Sequence, residues 1–331
     1  MSCDLRERII SYIDNPRESD FNSLALEVFN FQVSRNSDYD RYCQGQIVSH
    51  WSEIPLVVTD VYKLESAQLR SFTGSAEAVF HTSGTTSRET GKHAFKSLDL
   101  YSASVLHGFE NPGPGQTLRQ TYLTSPPGKR PHSSLVKMFG ILSERLPNSS
   151  EAFLDVSSDT FSPKVLQDLC DEGQPLMILG TAIQFLSLIE KVPSGIALPL
   201  GSKVMETGGY KATGVEISKE TFYRNLSRYL NVKTDDIWNE YSMTELSSQF
   251  YTKGLNKAHQ GPLWAKTRIL NPETLEEVGE GETGYVAIYD LANLDSFCAV
   301  LTQDFAVRRG SDFELLGRDP SALPRGCSRM R

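Results

Sequence analysis

Val79-Phe-His-Thr-Ser-Gly-Thr-Thr-Ser-Arg88 joins an apolar strand end to a turn that is rich in hydroxyl groups and ends on a cation. Gly84 lacks the Cβ that would hold a ligand away from the backbone, so hydroxyls and N–H groups can converge on an anion. Arg88 can add charge-assisted hydrogen bonds. The stretch predicts a phosphate-holding loop, although a polar surface loop has the same composition.

Two better-known phosphate motifs are excluded. The interval from Gly84 to Lys92 is too long for the P-loop spacing, and His93 occupies the position that needs Ser or Thr. Residues 279–284 match G-x-G-x-x-G by letter, but they are acidic and lead into a strand-like segment. A dinucleotide fingerprint opens a helix instead.

Composition bounds the class of protein. The 331 residues suit one large domain or about two ordinary ones. The net charge of -8, without a Lys/Arg block, disfavours nucleic acid or an anionic membrane as partner. No apolar run approaches the roughly 18–20 residues of a membrane span. The first residues are too charged for a signal peptide, and the five scattered cysteines are typical of cytosolic thiols, so we expect a cytoplasmic protein.

Helical and strand-like segments alternate through the first 260 residues. Helical spacing occurs at 4–14, 20–33, 98–109, 133–144, 182–191 and 218–230, and strand-like runs occur at 77–80, 122–124, 176–179, 203–206 and 237–241. This alternation predicts an α/β domain with a largely parallel sheet. Ligands of such sheets bind where the strands end, at their carboxyl ends.

From residue 261 the pattern changes to strands without helices. Strand-like runs occur at 268–270, 285–291, 299–302 and 313–316. They predict an antiparallel β subdomain. We therefore expect an α/β core with an N-terminal helical segment over residues 1–260. Residues 261–331 would form the β subdomain and a C-terminal tail packed on that core.

Two further loops carry groups suited to a nucleotide. The paired glycines in Thr207-Gly-Gly-Tyr-Lys211 let a flat ring lie against the backbone, although a tight turn is equally typical. Tyr241 could stack on a base, Thr244 could contact a phosphate, and Glu245 could bind Mg²⁺. The alternative for Thr244 and Glu245 is the start of a helix.

The last strands add two candidate residues. Asp304, at a predicted strand end, could accept hydrogen bonds from vicinal hydroxyls such as those of a ribose; its alternative is a solvated turn. Arg318 follows the last strand and could reach a ribose or a phosphate. The histidines near these loops (His81, His93, His107 and His132) are expected to pack or form hydrogen bonds rather than act as bases.

The motifs, taken in order, resemble those of the adenylate-forming superfamily, which includes acyl- and aryl-CoA synthetases and firefly luciferase. The matches are Thr82-Ser-Gly-Thr-Thr86, Tyr241-Ser-Met-Thr-Glu245, Gly279-Glu-Gly-Glu-Thr-Gly-Tyr285, Thr302-Gln-Asp304 and Gly317-Arg318. A closer resemblance, over nearly the whole chain, is to the LuxE-type acyl-protein synthetases. It rests on Phe29-Asn-Phe-Gln32, Trp51-Ser-Glu-Ile-Pro55, Ser133-Ser134-Leu135, Thr207-Gly-Gly-Tyr-Lys211 and the tail up to Arg325-Gly-Cys-Ser328.

The resemblance implies the fold of the superfamily's large N-terminal domain, with parallel-rich sheets, flanking helices and a C-terminal antiparallel β subdomain. It implies ATP-dependent conversion of a fatty or other acyl acid to acyl-AMP, followed by transfer to a thiol. A CoA-forming ligase and a nucleotide-binding subunit without catalysis stay open as alternatives.

The resemblance also assigns roles to individual residues. Thr82, Ser83, Gly84, Thr85 and Thr86 would hold the phosphates, Gly208, Gly209 and Tyr241 the adenine, and Asp304 and Arg318 the ribose. Thr244 would contact the α-phosphate, and Glu245 would bind Mg²⁺. His132, Ser133, Ser134 and Gly209 would line the acyl pocket.

Three departures from the superfamily pattern bear on catalysis. Ser87 and Ser242 replace glycines. The chain ends at Arg331, so the superfamily's small C-terminal domain and its catalytic lysine are expected to have no counterpart. Either Arg88, Lys92 or Lys211 then supplies the missing cation, or adenylation is slow.

The acyl acceptor is the last expectation. In the LuxE family an acyl group is thought to rest on a cysteine near the C-terminus, which suggests Cys327. Its alternative is an incidental cysteine in a frayed terminus. The acyl group would pass on to a partner acyl reductase or an acyl-carrier protein.

Overall fold

The structure, a computed structural model, describes residues 2–65, 67–82, 90–208 and 217–320. In this part of the chain the α-helices are α1 (Ser2–Asp14), α2 (Phe21–Val33), α3 (Ser37–Cys43), α4 (Asp99–Glu110), α5 (Ser134–Arg145), α6 (Pro163–Asp171), α7 (Ala182–Lys191) and α8 (Lys219–Leu230). The strands are β1 (Val57–Val58), β2 (Ala78–His81), β3 (Lys92–Phe95), β4 (Arg119–Tyr122), β5 (Asn148–Phe153), β6 (Leu176–Thr181), β7 (Lys203–Thr207), β8 (Ile237–Tyr241), β9 (Phe250–Lys253), β10 (Ala265–Leu270), β11 (Thr283–Asp290), β12 (Ala299–Arg309) and β13 (Asp312–Arg318).

A six-stranded sheet forms the centre of the α/β core. Its strand order is β5-β4-β6-β7-β8-β9; the first five strands are parallel, and β9 is antiparallel to β8. Helices α6, α7 and α8 cover one face through a core that includes Leu166, Phe185 and Phe222. Helices α4 and α5 cover the other face through Val105 and Phe139. The predicted α/β architecture is confirmed.

A second sheet contains the strands predicted after residue 261. Its order is β1-β12-β11-β10, and β13 also pairs with β12. All pairs are antiparallel except β1 with β12, where Val57 lies opposite Val300. The antiparallel character follows the prediction, but one strand comes from residues 57–58, far upstream.

The N-terminal helices pack against this second sheet. Gln32 of α2, which is fully buried, donates to the carbonyls of Asn293 and Leu294 and accepts the N–H of Cys298. Arg6 of α1 forms an ion pair with the buried Asp295. These contacts join the first helices to the loop between β11 and β12. Within the described residues, no helix combines the length and hydropathy needed to cross a bilayer.

Several elements differ from the predictions. The strand predicted at 122–124 is β4, which ends at Tyr122. Helices α3 and α6 and strands β3, β5 and β9 were not predicted. Strands β3 and β9 have only four residues each, but α6 carries Leu166, Leu169 and Cys170 at helical spacing, a signal that the prediction missed. Asp304 was expected at a strand end but lies inside β12, because β12 continues to Arg309 in its pairing with β13.

Candidate active site

Strands β7 and β8 bring two predicted site segments to the same edge of the six-stranded sheet. The strands are parallel neighbours, with Thr207 opposite Glu240, so their carboxyl ends meet. After Thr207 comes Gly208, whose φ of 78° lies in the left-handed region that glycine adopts without strain. Strand β8 ends at Tyr241. Gly208 and Tyr241, both assigned to the adenine, therefore lie on adjacent strand ends.

Tyr241 contacts the second sheet through Asp304. The hydroxyl of Tyr241 donates to Oδ2 of Asp304 over 2.8 Å, and both side chains are buried. Arg318 lies opposite Asp304 in the β12–β13 pairing and places Nη1 3.8 Å from Oδ1. Arg318 also donates to Gln303 over 2.9 Å. The structure thus brings together the residues predicted for the base and for the ribose.

Thr244 and Glu245 lie in an irregular turn between β8 and β9, so the alternative of a helix start is wrong. Asp290 holds the far end of this turn, because its Oδ2 accepts the N–H groups of residues 247 and 248. Asn293 donates to the carbonyl of Glu245 over 2.9 Å. Burial raises the pKa of Asp290 to about 6, and its hydrogen bonds oppose that rise. A buried polar network that includes Asp290 and Asn293 therefore fixes the turn.

His93 of β3 fixes the near side of the same turn. Its Nδ1–H donates to the carbonyl of Thr244 over 2.7 Å, so Nε2 accepts from the hydroxyl of Ser296 at 2.9 Å. Tyr62 in turn donates to Ser296 over 3.1 Å. Burial lowers the pKa of His93 to about 4, with the bond to Thr244 opposing that change. The ring is neutral at physiological pH and forms hydrogen bonds, as expected from the sequence.

Thr82 closes the base of the predicted phosphate loop. Its N–H donates to the carbonyl of Gly91 over 2.8 Å, and its hydroxyl accepts the N–H of Gly91 over 2.8 Å. Strands β2 and β3 continue this pairing as an antiparallel hairpin, with His81 opposite Lys92. Thr82 is buried, and its hydroxyl is paired with the N–H of Gly91, so in the structure it shapes the base of the loop.

The predicted acyl-pocket residues lie beside this base. The ring of His132 stacks on that of His81, with centroids 4.3 Å apart and planes at 5°. His132 also donates from Nδ1 to the carbonyl of Val79 over 2.9 Å. Ser133 caps α5 by accepting a backbone N–H, and Ser134 begins that helix. The loop before α5 is therefore attached to β2.

Two buried carboxylates at the same edge of the sheet were not predicted as site residues. Glu206 accepts from Tyr223 at 3.0 Å and from Asn239 at 2.7 Å. Burial raises the pKa of Glu206 to about 7 and also raises the pKa of Glu240. The sequence held a signal for both, because each glutamate lies within a strand of the predicted parallel sheet, and such strands are covered on both faces.

Part of the predicted site lies outside the described residues. This applies to Ser83, Gly84, Thr85, Thr86 and Arg88 of the hydroxyl-rich turn, to Gly209 and Lys211 after β7, and to Cys327 in the tail. The described residues on either side of these segments are the ones placed above.

The chemistry of the described donors suits a nucleotide with a weakly held divalent cation. Among these residues there is no group of three His, Cys, Asp or Glu side chains that could hold a metal ion. Glu245 offers a single buried carboxylate at the turn. Mg²⁺ is commonly bound through one or two carboxylates together with substrate phosphates, and this donor set fits such a site.

Comparison with solved structures gives the fold. The chain is similar to 2-hydroxyisobutyryl-CoA ligase in an open conformation with 2-HIB-AMP and CoA, with a TM-score of 0.62, 13% identity, and coverage of 88% of this chain and 72% of that chain. It is also similar to McyG A-PCP complexed with phenylalanyl-adenylate, with a TM-score of 0.55, 16% identity, and coverage of 74% and 47%. Against several matched structures, such as an ATP-bound RpMatB-BxBclM chimera at 49%, the chain spans about half of their length. The predicted adenylate-forming fold is confirmed.

Sequence comparison gives the family. The chain is 22% identical over 336 residues to the long-chain-fatty-acid--luciferin-component ligase of Aliivibrio fischeri, covering 93% of this chain and 86% of that protein. The family model described as acyl-protein synthetase, LuxE, matches residues 144–330, which is more than half of the chain. The chain therefore belongs to the LuxE family of acyl-protein synthetases.

Proposed function

We propose that the chain activates a carboxylic acid with ATP and passes the acyl group to a thiol on a protein. A carboxylate oxygen of the acid attacks the α-phosphorus of ATP, the bond to the β-phosphate breaks, and pyrophosphate leaves. A thiolate then attacks the acyl carbon, and AMP leaves. Membership of the LuxE family supports the overall reaction.

The nucleotide would bind across the edge shared by the two sheets. Tyr241 would stack on the adenine beside Gly208, while Asp304 and Arg318 would bind the ribose. The observation that carries this assignment is the 2.8 Å hydrogen bond between Tyr241 and Asp304, which joins two motifs 63 residues apart at one point. Ser83, Gly84, Thr85 and Thr86 would hold the phosphates, with Thr82 shaping the base of their loop.

Catalysis would depend on positioned charges and dipoles around the α-phosphate. Thr244 would donate to an α-phosphate oxygen, since its carbonyl is fixed by His93. Glu245 would hold Mg²⁺, which neutralises phosphate charge when bound. Arg88, or Lys211, would supply the further cation. The acid would lie near His132, Ser133, Ser134 and Gly209, with its carboxylate toward Thr244.

We further propose that Cys327 receives the acyl group before it passes to an acyl reductase or an acyl-carrier protein. The nearby Arg325 and Arg329 would favour the thiolate. The reaction would take place in the cytoplasm. The free thiols of Cys43, Cys170 and Cys298 support a reducing compartment.

The direct test is acid-dependent exchange of labelled pyrophosphate into ATP, measured with a panel of fatty, aryl and amino acids. We expect exchange with at least one acid, and a loss of about 100-fold or more in Thr244→Val and Glu245→Gln, since each removes a group at the reacting phosphate. Ser52→Ala, which removes a hydroxyl that hydrogen-bonds to His50 outside the predicted site, should exchange normally. Failure of the unaltered protein with every acid would contradict the proposal.

A further inference from the structure

Residues 290–298, which run from the last residue of β11 to the start of β12, are buried although several of them are polar. Asp290 and Asn293 in this segment are both fully buried. Polar side chains in such a position need partners within the protein, because they have lost the water that would otherwise pair with them. Both residues form hydrogen bonds with the turn at 242–249, which carries the two residues proposed to act at the reacting phosphate. That turn therefore explains why these polar side chains are buried.

The side-chain amide of Asn293 contacts the turn at two points. Its Nδ2 donates to the carbonyl of Glu245 over 2.9 Å, and its Oδ1 accepts from the hydroxyl of Ser247 over 2.7 Å. Nδ2 also donates to the carbonyl of Phe297 over 2.8 Å. Because carbonyls can only accept, a single orientation of the amide satisfies all three hydrogen bonds. Asn293 therefore fixes the main chain of Glu245.

Asn293 is itself held in place by its own main chain. Its carbonyl accepts from Nε2 of the buried Gln32 in α2 over 2.8 Å. Its N–H donates to the carbonyl of Asp290 over 3.1 Å. A side chain can position another segment only where its own position is fixed. The contacts of Asn293 with α2 and with the end of β11 meet this condition.

Further hydrogen bonds restrict the turn on either side of Glu245. Before it, the carbonyl of Thr244 accepts from Nδ1 of His93 over 2.7 Å. After it, Oδ2 of Asp290 accepts the N–H groups of residues 247 and 248 over 3.0 and 2.8 Å. Asn293 adds the hydrogen bond to Glu245 itself. The main chain is thus fixed at, before and after the residue proposed to bind the metal ion.

A carboxylate that binds magnesium benefits from such support. Mg²⁺ demands near-ideal octahedral geometry, with ligands at about 2.0–2.1 Å, so its ligands have to be oriented accurately. The position of a carboxylate depends on the main chain from which its side chain extends. A fixed carbonyl at Glu245 therefore restricts where the carboxylate of Glu245 can lie.

We propose that Asn293 is a positioning residue that holds Glu245 in the orientation needed to bind Mg²⁺ at the reacting phosphate. The inference rests on the proposed function, because it concerns the metal ion that accompanies ATP at the same site. Asn293 acts through Glu245 and does not contact the nucleotide. Loss of a residue that orients a metal ligand typically lowers metal affinity or activity by about 10–100-fold.

Binding of MnATP tests this role without turnover. Mn²⁺ replaces Mg²⁺ as a paramagnetic probe, and water-proton relaxation distinguishes MnATP bound to the protein from MnATP in solution. In Asn293→Leu, which removes all three side-chain hydrogen bonds, the Kd of MnATP should rise at least tenfold. The Kd of metal-free ATP should change little, since Tyr241, Asp304 and Arg318 are intact. The Mg²⁺ concentration for half-maximal pyrophosphate exchange should rise together with the Kd of MnATP.

Asn36→Leu is the matched control for the loss of a buried asparagine. Asn36 is fully buried, its Nδ2 donates to the carbonyl of Gln68 over 2.7 Å, and its Oδ1 accepts the N–H of Tyr39 over 2.9 Å. These partners lie outside the turn at 242–249. The control variant should therefore lose stability to a similar extent and bind MnATP as the unaltered protein does.

Ser247→Ala tests the same contact if Asn293→Leu does not fold. It removes only the hydroxyl that donates to Asn293, so it should weaken MnATP binding by about threefold.

The outcomes distinguish this inference from the proposed function. Unchanged MnATP binding in a folded Asn293→Leu or in Ser247→Ala, or equal losses in Asn293→Leu and Asn36→Leu, would overturn the inference and leave adenylation standing. Absence of exchange with every acid would overturn the proposed function, and the MnATP measurement would still decide the role of Asn293. Failure of the unaltered protein to bind ATP would overturn both.

Discussion

Glu206 and His93 show how the protein handles ionisable groups at the scale of single residues. Both are buried beside the candidate site. Glu206 accepts two hydrogen bonds at Oε1, and His93 forms hydrogen bonds through both ring nitrogens. The sequence placed Glu206 correctly in a strand, but strand β3, which carries His93, was not predicted. The sequence could not predict the hydrogen-bond partners of either residue, because those partners come from distant segments. They are Tyr223 and Asn239 for Glu206, and Ser296 and the carbonyl of Thr244 for His93.

Glu206 should make stability depend on pH. Burial, opposed by Lys219, Tyr223 and Asn239, raises its pKa from 4.5 to about 7. Because the folded protein holds this proton more tightly, its stabilising effect is full below pH 4.5 and is lost as pH rises through 7. Glu206→Gln cannot lose the proton. Relative to the unaltered protein, its free energy of unfolding should therefore increase by up to about 3 kcal/mol between pH 4.5 and 8.

Chemical denaturation at a series of pH values measures this effect. The readout is the change in the difference between variant and unaltered protein, so a constant cost of substitution cancels. Parallel stability curves for the two proteins across this pH range would show that Glu206 titrates normally.

His93 should act as a positioning residue for Thr244. His93→Leu leaves the carbonyl of Thr244 and the hydroxyl of Ser296 without their buried partner, at about 1–3 kcal/mol each. We expect the kcat of pyrophosphate exchange to fall at least tenfold while KM for ATP changes little. His93→Asn is the matched control, because its Nδ2 can replace the Nδ1 donor. Rescue of kcat by His93→Asn is the expected result, and equal losses in both variants would contradict it.

The elements around the site differ in how well the local sequence predicts them. Strand β6 is a continuous apolar run, and helices α7 and α8 have caps at Thr181 and Ser218, so the local sequence predicts these elements. The β2–β3 hairpin and the position of Asp304 inside β12 escaped prediction. Their geometry depends on cross-strand partners, such as Gly91 for Thr82, that local sequence does not reveal.

Gly91 should control the shape of the phosphate loop's base. A Cβ at this position would lie 2.9 Å from Oγ1 of Thr82 and 3.1 Å from the carbonyl of Tyr62. Gly91→Ala must therefore displace the Thr82 pairing, and we expect KM for ATP to rise at least fivefold in a folded protein. Gly128→Ala is the control, because a Cβ there meets no atom within 4 Å. Equal KM values for the two variants would contradict the role given to the hairpin.

At the scale of the whole molecule, the two sheets and the N-terminal helices form one interlocked body. Asp290, at the end of β11, and Asn293, in the loop after it, form hydrogen bonds with the turn at 242–249. Gln32 of α2 forms a hydrogen bond with the same loop. Motif order along the chain predicted that distant segments would meet. The buried polar groups that hold these segments together belong to no sequence motif, so only the contacts in the structure identify them.

Gln32 should be needed for the N-terminal helices and the two sheets to unfold together as one body. Gln32→Leu removes partners from two buried carbonyls and one buried N–H, so the free energy of unfolding should fall by about 3 kcal/mol or more. Gln46→Leu alters an exposed glutamine and should have little effect. Denaturation followed by tryptophan fluorescence should show one transition in both variants. A separate, earlier transition of the N-terminal helices would contradict the interlocked arrangement.

A crystal structure with a non-hydrolysable acyl-adenylate analogue tests the central claim most directly. The claim is that the ends of β7 and β8 and the middle of β12 form one adenylate site. The account predicts the adenine ring against Tyr241, the ribose hydroxyls within hydrogen-bond distance of Asp304, and the phosphate mimic at Thr244. An analogue bound away from these residues, with the Tyr241–Asp304 hydrogen bond untouched and remote from it, would contradict the account.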